Sequence, residues 1–127
     1  MKCKELIVGD LINNLYGVQM RIVKVYDGYA YAAPVNSRRT TWRFDDECEY
    51  PVPIPLTPEI LEINEWKDNG LWYEYIDDNV TIQSCLPDMR GIINGVEIKE
   101  FQCKYVHQYQ HLLRLCGLDE LADNFKV

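Results

Sequence analysis

Over the first fifty residues, apolar and polar positions alternate in short bursts, each too brief for a helix and each ended by a turn-forming pair. Leu6 to Val8, Leu11 to Asn13 and Val18 to Tyr26 are strand-length runs punctuated by Gly9-Asp10 and Tyr16-Gly17. Asp27-Gly28 predicts a type I′ hairpin, because both central positions of that turn need positive φ. Tyr29-Ala30-Tyr31-Ala32 follows with period two, so Tyr29 and Tyr31 share a face. After a loop through Pro34, Asn36 and Ser37, the β-branched and aromatic run Thr40 to Phe44 predicts a further strand. So many short strands with hairpin connections predict an SH3-like small β-barrel or a bent sheet over residues 1–50.

The next segment, Tyr50-Pro51-Val52-Pro53-Ile54-Pro55-Leu56, carries proline at every second position. It cannot donate a full hydrogen-bond ladder, which makes it a polyproline or edge segment connecting two lobes. Thr57 as N-cap, Pro58 at the first helical position and Glu59 in the first turn announce a helix of two to three turns. Ile60, Leu61, Ile63 and Trp66 form its apolar stripe, and Asn69-Gly70 closes it. Leu71 to Ile76 alternates, Asp77-Asp78-Asn79 turns into Val80 to Leu86, and Asn94-Gly95 predicts a hairpin into Val96 to Phe101. From Tyr105 to Cys116, the residues Tyr105, Val106, Tyr109, Leu112, Leu113 and Cys116 fall on one helical face. Gly117 is placed as a left-handed cap, and Leu118, Leu121 and Phe125 are available to pack the tail. The chain therefore reads as α+β. Its β lobe at 1–50 is followed over 51–127 by a short helix, an antiparallel meander and a C-terminal amphipathic helix, and the two lobes can form one compact domain.

Composition narrows the class. With 127 residues, 47% of them hydrophobic, the chain can bury one real core. No stretch approaches the roughly 18 uninterrupted apolar residues of a membrane span. Met1-Lys2-Cys3-Lys4-Glu5 lacks the apolar run of a signal peptide, so a cytoplasmic location without membrane attachment is expected. Five widely spaced cysteines, Cys3, Cys48, Cys85, Cys103 and Cys116, speak against both a disulfide framework and a zinc ribbon. A net charge of −7 argues against general attraction to nucleic acid or anionic lipid.

Candidate chemistry is sparse. Both histidines lie in His107-Gln108-Tyr109-Gln110-His111, one turn apart on the last helix. The pattern resembles the His-Glu-x-x-His zinc-protease signature with Gln108 in place of the general base. The helical wheel turns His107, His111 and Arg114 away from the apolar face toward solvent, and Arg114 sets a fixed positive charge beside the would-be metal. Ser37 and Ser84, the only serines, lack the strained glycine-flanked turn of a hydrolase nucleophile. No cysteine is singled out by a neighbouring base, and Gly91 and Gly95 do not form a phosphate loop. The paired acids Asp45-Asp46 and Asp77-Asp78 are turn residues first. No catalytic residue and no cofactor is assigned.

The better binding signal is aromatic. Tyr26, Tyr29, Tyr31, Trp42 and Phe44 concentrate in the first lobe, and SH3-like barrels bind extended peptides along aromatic strips. Against this stands the small core of a lobe of about 50 residues, which calls for most of its aromatics inside. The binding candidates are Tyr29, Tyr31 and Trp42, with Arg38 and Arg39 at their edge. Nucleic-acid binding through Arg38, Arg39 and Arg43 with Trp42 is the weaker variant.

Three stretches together carry a resemblance: Leu6-Ile7-Val8-Gly9-Asp10, Pro53-Ile54-Pro55-Leu56-Thr57-Pro58-Glu59-Ile60-Leu61, and Tyr105-Val106-His107-Gln108-Tyr109-Gln110-His111. In that order they resemble a family of small uncharacterised proteins of gut bacteria, their phages and integrated elements. The resemblance implies a mobile-element context and no particular activity, cofactor or catalytic residue. The function expected is that of a non-enzymatic interaction or adaptor protein engaging a host or phage protein. The alternative is a metal-binding protein or metal-dependent hydrolase using His107 and His111.

Overall fold

The period-two runs of the first half pair as one antiparallel sheet, with β1 at Leu11–Asn13, β2 at Gln19–Tyr26, β3 at Tyr29–Pro34 and β4 at Trp42–Asp45, in the order β1-β2-β3-β4. The computed structural model describes residues 1–36, 41–68, 70, 73–76, 81–85, 90–94, 96–102 and 104–127. Among the described residues, no pairing of β1 with β4 closes this sheet into a barrel. The chain divides into two units, Met1–Ile54 and Pro55–Val127.

In the first unit the core gathers on one face of the sheet: Cys3, Leu6, Ile12, Met20, Ile22, Ala30, Ala32 and Phe44 are buried together, with Met1, Val25 and Trp42 packed against them. Leu6 to Val8 is not the strand that its apolar letters predict. Cys3–Glu5 forms a short 3-10 turn, and the chain then bends through Gly9 at φ 97°. The fully buried Asp10 closes that bend, its Oδ2 accepting from the Ile7 N–H at 2.8 Å. Gly9 N–H and Asp10 C=O pair with Ile22 at 2.8 and 2.9 Å. The Leu-x-Val-Gly-Asp stretch is thus a device for turning the chain into β1. In the β2–β3 hairpin only Gly28, at 84°, has positive φ, so the turn is not the type I′ form predicted. Val52, between two prolines, exchanges both main-chain hydrogen bonds with Asn13, at 2.9 and 2.8 Å, and so lies along the outer edge of β1. Alternating prolines leave N–H groups on only one edge of an extended segment, and that edge is the one used.

In the second unit, α1 runs over Pro58–Ile63 with the Thr57 hydroxyl accepting from the Ile60 N–H, as the sequence predicts. It is shorter than expected. Glu65 adopts φ 69° and takes Trp66 out of the helix, where the indole is 3% exposed against Tyr75 and Tyr109. Strands β5 (Lys67–Asp68), β6 (Tyr73–Ile76), β7 (Thr81–Cys85), β8 (Arg90–Ile93) and β9 (Val96–Gln102) form a meander in sequence order. Helix α2 (Val106–Leu115) ends at Gly117, φ 78°, and a short α3 (Asp119–Asp123) follows it. The tail packs chiefly through the buried Ala122 and Phe125. Asn64, 6% exposed at the end of α1, donates to Ile60 O at 2.7 Å and exchanges a pair of 2.8 Å hydrogen bonds with the main chain of Lys126.

Candidate functional site

Strand β3 inverts the usual order of a small sheet: its small residues, Ala30 and Ala32, lie fully buried and its tyrosines face outward. The register sets which residues of the neighbouring strands join each face. Val23 is an extra residue in β2, so that Ile22 opposes Ala32 and Lys24 opposes Tyr31. Beyond that bulge, Lys24 and Tyr26 join the tyrosine face. β4 continues it, with Arg43 opposite Tyr31. One row across the sheet is therefore Lys24, Tyr31 and Arg43, and the next is Tyr26, Tyr29 and Asp45. Tyr26 stacks on Tyr29 with centroids 4.7 Å apart and planes at 13°. Tyr31 meets both edge-on at 6.2 and 6.0 Å, and the Arg43 guanidinium lies 5.0 Å over Tyr29. Each ring pair contributes on the order of 0.5–1.5 kcal/mol beyond its burial, and the cation–π contact about 0.5–1 kcal/mol. Tyr26 remains 43% exposed, and Lys24 and Arg43 are exposed.

Trp42 does not join this patch. It opposes Ala32, so strand alternation turns it to the core face, where it is half-buried and meets Tyr16 edge-on at 6.1 Å. Phe44, opposite Ala30, is buried on the same side. The expectation that the aromatics lie inside holds for these two residues and not for the tyrosines. Arg38 and Arg39 lie outside the described residues, as do Asp77, Asp78, Asp88 and Cys103.

The acidic loop after β4 is structural. Asp45 Oδ1 accepts from the N–H groups of Glu47, Cys48 and Glu49 at 2.9, 2.7 and 3.1 Å. Those donors, the Cys48 amide foremost, hold its carboxyl below the usual range. Asp46 accepts from Cys3 N–H at 2.7 Å, and that bond lowers its pKa. The Cys3 thiol is pushed up to about 12, first by burial and then by its hydrogen bond to Asp46, which makes it a poor nucleophile.

The histidine pair lies differently from the wheel's forecast. His107 is 7% exposed, whereas His111 and Arg114 are half-buried, so His107 does not face solvent. A wheel assumes a single covered face, but α2 is covered on more than one. Gln110, wholly buried, donates to Ala122 O at 3.0 Å as α3 folds back, and the Tyr105 ring stacks on His107 at 6.1 Å. His107 and His111 meet edge-on at 5.7 Å. Gln108, in the position of the absent glutamate, accepts from the N–H groups of Lys104 and Tyr105 at 2.8 and 3.1 Å and thus caps the helix. Arg114 reaches Asp123 at 3.4 Å. Among the described residues, no group of three or more His, Cys, Asp or Glu side chains is arranged to hold a metal ion.

No helix among the described residues is long and apolar enough to cross a membrane. No family model, no curated protein and no solved structure matches the chain.

Proposed function

We propose that this chain is a non-enzymatic protein-interaction module, acting in the cytoplasm, whose first unit presents the outward face of its sheet to a partner protein. The observation that carries this reading is the cluster of Tyr26, Tyr29 and Tyr31 under Arg43, large side chains held on the solvent side while alanines fill the core side. Tyrosine and arginine are the residue types that anchor interfaces, since each combines wide apolar area with a polar tip. Trp42 contributes from beneath, as packing. An SH3-like closure of the sheet, and a host or phage protein as partner, belong to the same proposal. The test is capture of partners from native lysate by the wild-type chain and by a Tyr29→Ser/Tyr31→Ser variant whose thermal unfolding shows it folded. The expected result is a specific partner lost in the variant. A chain recovered alone as a clean monomer, or a partner retained by the variant, overturns the reading.

A further inference from the structure

The end of α1 stores two unfavourable features in adjacent residues. Glu65 N–H donates to Glu62 O and Trp66 N–H to Leu61 O, both at 3.1 Å, the paired hydrogen bonds of a left-handed helix cap. The residue in the left-handed conformation is Glu65, with φ 69°. Glycine is the usual occupant of that position, because a Cβ there crowds the following carbonyl, so a glutamate holds the turn under strain. The second feature lies in the side chain that the turn delivers. Trp66 is buried, yet among the described residues its Nε1–H has no acceptor. An indole N–H hidden from water without a partner forfeits the hydrogen bond it would make outside.

What holds Trp66 in place is apolar burial and its ring neighbours, Tyr75 at 5.6 Å and Tyr109 at 5.1 Å. Burial outweighs the two costs, since the closed form is the one observed, but both costs narrow its margin. One motion removes both: as the indole leaves, its N–H meets water and Glu65 relaxes to negative φ. Little else has to give. On one side Asn64 stays tied to Ile60 and Lys126, which confines the motion to the residues after it. On the other side Lys67 and Asp68 are exposed and form the two-residue edge strand β5, paired with Glu74 and Tyr73 of β6.

We infer that Glu65 and Trp66 form a latch, the strained start of a segment over residues 65–68 that opens while the rest of the second unit stays folded. The closed form hides the Trp66 indole. The open form presents it, and tryptophan is among the side chains most enriched as interface anchors. Hydrogen exchange of the isotope-labelled full chain, followed by NMR, tests this. The reporter is the Trp66 indole N–H, identified by its loss in Trp66→Phe, and the reference is the main-chain N–H of Leu112, buried in α2. With each rate expressed against the same group in the unfolded chain, the indole should be less protected than Leu112 by at least about tenfold, because Leu112 waits for the larger unfolding. Glu65→Gly relieves the closed form and should raise the indole's protection several-fold, whereas Glu65→Val strains it further and should lower that protection. An indole as well protected as Leu112, or a protection that neither substitution moves, overturns the inference. If Glu65→Val does not fold, Glu65→Gly decides alone, and an unchanged indole in that variant overturns it.

Discussion

Gln108 shows how a residue can mimic one motif while serving another. Its side-chain oxygen is bound back to the N–H groups of Lys104 and Tyr105, which turns it toward the start of α2 and engages it as a cap. Gln108→Glu should therefore restore the letters of a zinc-protease signature without conferring zinc-dependent hydrolysis in a casein assay, and it should keep the fold, since a carboxylate accepts the same two hydrogen bonds at a favourable helix end. Gln108→Ala should cost about 1 kcal/mol, read from the urea midpoint. The identity of the cap was legible from the sequence only in part. Tyr105 is a poor N-cap residue, lacking the short acceptor of Ser, Thr, Asn or Asp. The glutamine three residues on carries the signal, and it reads as a capping box once the helix start is known. His107 was misjudged for a related reason: whether a polar residue faces solvent depends on what packs against its side of the helix, and neither the fold-back of α3 nor the stacking of the Tyr105 ring on His107 can be read from a wheel.

At the level of elements, punctuation proved the most readable feature. Thr57-Pro58-Glu59 starts α1 where predicted, and the Asp27-Gly28, Asn94 and Gly117 signals each fall at a chain reversal. Lengths were less readable, because α1 stops at Ile63 for the sake of Asn64, whose partner lies sixty-two positions away. That asparagine holds the C-terminal segment to the end of α1 by two hydrogen bonds with Lys126, and a third ties its side chain to Ile60 within the helix. Asn64→Ala should destabilise the second unit by about 2–4 kcal/mol, from the lost bonds and the buried main-chain groups left unmet. Limited carboxypeptidase digestion should trim the tail faster in that variant; equal trimming would mean that Phe125 alone retains it.

For the whole molecule, charge and topology act together. Asp45 and Asp46 have folded pKa values below their unfolded ones, so the stability they contribute is fully present above the unfolded carboxylate value, about 3.9. It is lost as pH falls through the lower folded values. Urea midpoints should accordingly be insensitive to these groups near neutrality and fall below about pH 4. Asp46→Asn should be less stable at neutral pH and show a shallower acid slope. What the sequence by itself determined is the class and the punctuation: an α+β chain, strands in the first half, a proline edge segment, capped helices, and Tyr29 and Tyr31 on a shared face, all consequences of local periodicity and turn chemistry. Only the tertiary structure decided which way that face points. A single extra residue at Val23 moves Lys24 and Tyr26 beside Tyr31 and Tyr29, and the pairing of β3 with β4 delivers Arg43 to them while sending Trp42 to the core. Strand register is a relation between distant segments, and a slip of one residue exchanges the two faces of a sheet, so no local pattern could have assigned them.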